Sequence, residues 1–327
     1  MKKTKNKQKS VTTKNIEVQS MKIKKNIFEY VHCNLCGAND YTVMYPSKHG
    51  KVNEQDLISK FRSSGDETLI DQVVKCNKCG FIYVNPRIRS DMIFNAYSEG
   101  EDQNFVSQAK GRELTFAKCL KLIEKYTKGR RGKILDVGTA GGSFLHVAKK
   151  KGWDVYGLEP NKWMGKWCKE NYGIDISSKS LFEQKYPSNN FDVVTLWDVL
   201  EHMPDPDASL KECNRILKDK GLLVVNYPDI GSWLSQLMKR KWIFLLSVHL
   251  FYFNRRTIKK ILRKNGYEVI TIKPHFQKLG LGYLVFRTKA YSKLLHNVGN
   301  LILKLPGLKN IQIPYWLGQT LVVARKM

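Results

Sequence analysis

The stretch Lys133–Asn161, KILDVGTAGGSFLHVAKKKGWDVYGLEPN, constrains the fold of this chain more than any other part of it. Lys-Ile-Leu-Asp-Val reads as a short buried strand, and Gly138, Gly141 and Gly142 then make a tight turn into a helix beginning near Ser143. Only small residues let a ligand approach such a backbone closely. A second strand, Asp154 to Leu158, ends at Glu159, 21 residues after Gly138. Standing at the carboxyl edge of the neighbouring strand, that carboxylate is placed to accept hydrogen bonds from a ribose diol. The arrangement is that of a parallel sheet holding an adenosine ligand on its edge, and it points to an enzyme.

The spacing from Asp136 is Asp-x-Gly-x-Ala-x-Gly, which differs from the dinucleotide fingerprint. It resembles the class I S-adenosylmethionine methyltransferases, whose usual pattern is acidic-x-Gly-x-Gly-x-Gly; Ala140 replaces the middle glycine. Phe191 to Pro206, FDVVTLWDVLEHMPDP, resembles the fourth strand and following loop of that family, particularly its small-molecule branch of quinone-biosynthesis O-methyltransferases and sugar methyltransferases. The resemblance implies an α/β, doubly wound, seven-stranded Rossmann-like sheet, parallel except for its last member, with S-adenosyl-L-methionine as cofactor. It places Asp136, Gly138, Ala140 and Gly142 around the methionine end, Glu159 on the ribose, and Pro160 and Leu181 near the adenine. Leu181 would follow a third strand near Ile174 to Ile176. Trp197, ending strand four, walls the cofactor or packs.

The remaining core elements follow in order. Asp207 to Leu217 reads as a helix, a turn closes at Gly221, and Leu222 to Tyr227 is a buried strand. Asn254 to Asn265 is a basic amphipathic helix, followed by strands from Glu268 to about Lys273 and from Leu321 to Ala324. The stretch from about 277 to 319 is too long for a hairpin loop and reads as a helical insertion or cap.

Two CxxCG knuckles, Cys33-Asn-Leu-Cys36-Gly and Cys76-Asn-Lys-Cys79-Gly, can together place four thiolates on one tetrahedral ion. They read as a structural Zn2+ ribbon, since four sulfurs leave no open coordination site; a disulfide or bare thiols is the alternative. The 39 residues between the pairs exceed usual ribbon spacing, so the lobe from Ala38 to Val74 is expected to hold a hairpin or helix of its own. The expected organisation is a disordered basic tail (1–26), a zinc-ribbon lobe (27–90) and a methyltransferase domain (91–327). A CxxC…CxxC lobe followed by Asn85-Pro86-Arg87 and this core resembles a family among methyltransferases of bacterial surface-glycan and deoxysugar pathways. That resemblance implies a small-molecule or glycan acceptor, free or lipid-linked.

A sulfonium methyl is already activated, so transfer to a hydroxyl needs alignment and a proton acceptor. Candidates are Asp198, Glu201 and His202 after the fourth strand, and His249 in a later apolar run. By resemblance, the acidic-x-x-Glu-His pattern of the quinone O-methyltransferases falls on Asp198, Glu201 and His202, where it is associated with substrate deprotonation or a bound divalent ion. His249 matches a histidine of the zinc-ribbon sugar family. The plainer readings are helix-terminal hydrogen bonding for Glu201 and His202 and a satisfied core histidine for His249.

His249 lies in Trp242 to Phe253, WIFLLSVHLFYF, whose twelve residues cannot span a bilayer as a helix. It reads either as a core or substrate-pocket segment or as an interfacial segment touching a membrane. Tyr283 to Leu305 mixes Leu, Ile, Val and Phe with Arg287, Lys289, Lys293 and Lys304, suited to anionic lipid or to a cap packed on its own sheet. The net charge is +27, and the first 25 residues carry nine lysines and one glutamate without an apolar run, unlike a signal peptide. Cys119, Cys168 and Cys213 suit buried thiols in a reducing compartment. The expected location is cytoplasmic or peripheral at the inner membrane face. An RNA methyltransferase using the ribbon and basic surface is the rival, although Trp197-Asp198-Val199-Leu200 stands where base methyltransferases carry Asn-Pro-Pro-Tyr or Asp-Pro-Pro-Tyr. A non-catalytic binding protein with a decayed cofactor pocket is the other alternative.

Overall fold

The computed structural model describes residues 27–48, 71–98, 100–289 and 292–327. The expected basic tail and residues 49–70 of the stretch between the cysteine pairs lie outside the described residues. Among the described residues, the amino-terminal lobe has five short strands: β1 (Phe28–Glu29), β2 (Tyr41–Tyr45), β3 (Val73–Cys76), β4 (Ile82–Val84) and β5 (Arg87–Ile88). The chain continues through α1 (Ser90–Ser98), α2 (Gln103–Val106), α3 (Ala109–Tyr126), β6 (Lys133–Val137), α4 (Ser143–Lys150), β7 (Asp154–Leu158) and α5 (Lys162–Tyr172). Then come β8 (Phe191–Trp197), α6 (Pro206–Ile216), β9 (Leu217–Pro228), α7 (Trp233–Met238), β10 (Phe251–Tyr252), α8 (Arg255–Lys264) and β11 (Tyr267–Pro274). The last elements are β12 (Gln277–Gly280), α9 (Leu281–Thr288), α10 (Lys293–Ile302), β13 (Gln312–Tyr315) and β14 (Gln319–Lys326).

The central sheet has the order β11-β14-β9-β8-β6-β7. β6, β7, β8 and β9 pair in parallel, and β14 runs antiparallel to both β9 and β11. β8 explains why both faces are covered: Val194 and Leu196 enter the core on one side, Val193 and Trp197 the core on the other. On the second side lie Cys119, Leu120 and Ile123 of α3 with Phe144, Leu145 and Ala148 of α4. On the first lie Leu210, Cys213 and Ile216 of α6 with Ile258, Ile261 and Leu262 of α8. Asp205 caps α6 through Ala208 N, and Asn254 caps α8 in a reciprocal box with Thr257.

The sheet has six strands where the sequence suggests seven. The expected strand at 174–176 is instead a single parallel bridge, Leu158 to Ser177, in which Ser177 N donates to Gly157 O and Glu159 N to Ser177 O. Residues 277–319 form a helical insertion held at its base by the antiparallel pair β12 and β13.

The run Trp242–Phe253 is internal, which removes the reading of it as a membrane-touching segment. Trp242, Leu245, Leu246 and Leu250 through Phe253 are buried. β10 adds to β4, so a strand from the core completes the sheet β10-β4-β3-β2 of the lobe. Phe81 of the lobe stacks on Phe251 with centroids 5.6 Å apart and packs on Phe253 at 5.1 Å. Arg87, buried against Phe251, pairs with Glu29 and donates to Pro204 O. Lobe and sheet thus share one continuous core. Phe253→Ala is expected to cost about 3–5 kcal/mol, and urea unfolding followed by tryptophan fluorescence and far-UV dichroism should keep a single coincident transition.

Candidate active site

The turn after β6 is shaped by what surrounds it. Gly138 has φ +70° and a Cβ there would meet a Val199 methyl at 2.6 Å, so the position admits only glycine. Ala140 also lies in the left-handed region, at φ 47°, a conformation costing an L-residue about 1–2 kcal/mol. What holds it is Glu159: Oε2 accepts from Ala140 N at 2.7 Å and Oε1 from Asn161 N at 2.8 Å. Asn161 Nδ2 in turn donates to the carbonyls of Tyr97 and Gly100, both at 2.7 Å, which lays the segment after α1 over the end of β7. Asp136 accepts from Thr195 Oγ1 at 2.6 Å across β8. Burial raises both carboxyls, Asp136 and Glu159, to about 7.

In front of this turn is a cleft with about 530 Å³ of empty space, part of it open to solvent. Asp136, Gly138, Ala140, Trp197 and Asp198 line it, together with Thr139, Gly141 and Ser143. Gly142, Glu159, Pro160 and Leu181 do not: Gly142 packs against Cys168, Glu159 faces the backbone, and Leu181 belongs to the core. The opposite wall comes from residues that carry no motif: Phe105, Arg112, Thr115 and Phe116 from α2 and α3, and His275, Gln277, Lys278 and Leu279 around β12. No local signal marks them, since they reach the cleft by long-range packing.

Asp198 sits at the end of β8 with φ 53°. Its Oδ1 accepts from Asn226 Nδ2 at 2.5 Å and its Oδ2 from Gln277 Nε2 at 3.1 Å, while Tyr315 Oη donates to Gln277 Oε1 at 2.6 Å. Burial raises its pKa, opposed by Gln277 and by the charge of Arg112. The Arg112 guanidinium lies 3.6 Å over the Phe105 ring, its buried Nε without a hydrogen-bond partner. His275, stacked on Trp197 at 6.0 Å, is lowered to about 4 by burial and is neutral.

The other three catalytic candidates gather apart from these lining residues. Glu201, His202 and His249 each offer a ligand atom within 4.8 Å of the others. His202 Nδ1 contacts Val248 O and His249 Nδ1 contacts Phe244 O, both at 2.8 Å, which fixes each Nδ1 as the protonated nitrogen and frees Nε2. The buried Glu201 oxygens have no hydrogen-bond partner from another residue, and burial holds the carboxyl well above its ordinary range.

The four paired cysteines also converge. Cys33 and Cys79 sulfurs are 3.5 Å apart, Cys36 and Cys76 3.6 Å, and all four lie within 4.8 Å. A tetrahedral ion with bonds of about 2.3 Å spaces its sulfurs about 3.8 Å apart, which this set fits. The knuckles are built alike: Gly37 N donates to Cys33 O and Gly80 N to Cys76 O, with both glycines at positive φ.

A family model described as a methyltransferase domain matches residues 110–272. The core is a class I, S-adenosylmethionine-dependent methyltransferase domain. A ubiquinone biosynthesis O-methyltransferase of Idiomarina loihiensis is 34% identical over 126 residues, covering 35% of this chain and 51% of that protein. The corresponding Coxiella burnetii protein is 28% identical over 134 residues, covering 39% and 57%. The chain thus spans about half the length of the curated relatives it matches. A methyltransferase structure from Archaeoglobus fulgidus covers 69% of this chain and all of its own at 22% identity and a TM-score of 0.48.

Within the methyltransferase domain, Asp136 and Glu159 generate a pH dependence. Their ordinary values are 3.8 and 4.5 and both rise to about 7 on folding, so the folded protein takes up protons between these limits. Their contribution is fully present at the acid end and is lost as pH rises to about 7. Urea midpoints of the ligand-free protein should show this fall, and Glu159→Gln should flatten it. Ala140→Gly should stabilise the turn by about 0.5–1 kcal/mol, read in the same titration.

Proposed function

We propose that the protein transfers the methyl group of S-adenosylmethionine to a small polyhydroxylated acceptor, a sugar or glycan unit, at a hydroxyl or carbon. The observation that carries this is that Asp198, His275, Arg112 and Gln277 line one cleft together with the Gly138 turn. The cofactor supplies an activated methyl, and the turn with Asp136 and Gly138 holds its methionine end. Arg112, a cation with an unsatisfied buried nitrogen, suits the cofactor's carboxylate. His275 is kept neutral by burial and can receive a proton from the acceptor hydroxyl, while Asp198, fixed by Asn226 and Gln277, orients that hydroxyl. Glu159 serves the ribose indirectly by fixing Ala140. Glu201, His202 and His249 have the donor set for a divalent cation, each Nδ1 anchored by a carbonyl as metal-bound histidines usually are. Cys33, Cys36, Cys76 and Cys79 would hold a structural zinc ion.

Purified protein and methyl-labelled S-adenosylmethionine, incubated with cell extract fractionated into RNA, nucleotide-sugar and lipid-linked glycan pools, should label a sugar-bearing pool. Label in RNA would replace the acceptor class, and no label in any pool would favour a binding role. His275→Gln should lower kcat by about 10²–10⁴-fold with unchanged calorimetric affinity for S-adenosylhomocysteine. Elemental analysis should find about one zinc per chain, absent from the Cys33→Ser/Cys36→Ser variant.

A further inference from the structure

The helical insertion between β11 and β14 leaves an apolar stripe without a partner among the described residues. α10 turns Gly299 inward, where Val285 of α9 would lie 2.7 Å from an added Cβ, and its His296 Nδ1 contacts Val285 O. Outward it presents Leu294, Leu295, Val298, Leu301 and Ile302, with Leu305 one turn beyond; Leu294 is 72% exposed and Leu301 64%. Spacings of four and three residues from Leu294 to Val298 and Leu301 put these on one face of the helix. At the foot of the insertion Phe276, 60% exposed, meets Trp316 at 6.4 Å.

The segment that carries this stripe has charge of one sign. Its Lys289, Lys293, Lys304 and Lys309 are exposed, and no Asp or Glu occurs from Val269 to Met327. We propose that the insertion docks on an anionic lipid bilayer, laying the leucine face of α10 among the acyl chains while the lysines meet lipid phosphates. A second copy fits this face poorly, because a twofold contact through it would set lysines against lysines with no carboxylate of the segment to pair them. Since β12 at the base of the insertion lends Gln277, Lys278 and Leu279 to the cleft, docking would hold the cleft near the membrane. The proposal stands on the exposed helix and not on which acceptor is methylated.

Sedimentation of the full chain with phosphatidylcholine vesicles, with and without phosphatidylglycerol, tests it. Binding is expected only with the anionic lipid, weakened on the order of tenfold or more by Leu294→Glu/Leu301→Glu and by Lys293→Gln/Lys304→Gln, both with unchanged melting temperature. Equal binding of wild type and the leucine variant would overturn the proposal, assigning the attraction to the lysine-rich first 25 residues. A lipid-free dimer that the leucine variant dissociates would overturn it too, making the face a contact between copies.

Discussion

The site depends on one carboxyl group. Glu159 is buried at the end of β7, and its two oxygens tie Ala140 N on one side and Asn161 N on the other. The first bond holds a non-glycine residue in the left-handed region; the second sets Asn161, which caps α5 through Met164 N and also grips the Tyr97 and Gly100 carbonyls. One side chain therefore joins the turn after β6, the start of α5 and the segment after α1. The cost is desolvation, visible in the raised pKa.

A second constraint joins the lobe to the sheet. β10 comes from deep in the chain yet pairs with β4, so the four-cysteine knuckles rest on the same core as β8 and β9. Asn34 Nδ2 donates to Asp205 Oδ1, and Asn34 Oδ1 accepts from Asp207 N, tying the first knuckle to the start of α6. The cluster acts as a brace for the loop that carries Glu201 and His202, and the apolar run containing His249 is buried for the same reason.

The charge and the apolar surface are distributed unevenly over the molecule. Of the two segments whose composition suits a membrane, the run Trp242–Phe253 is internal, whereas α10 faces outward with its leucines. Among the described residues no helix is long and apolar enough to cross a membrane.

The sequence by itself determined β6 and β7 to the residue and the start of α4, because a strand, a tight small-residue turn and a helix start are each specified locally. It also paired the cysteines, since CxxCG spacing fixes two sulfurs within one turn. Only the tertiary structure decided that 174–177 makes a bridge in place of a strand, that Glu159 faces backbone amides, and that Arg112, His275 and Gln277 face Asp198. Those outcomes rest on contacts between residues distant in the chain, where packing and burial, which no local pattern records, choose among conformations that short-range preferences leave open.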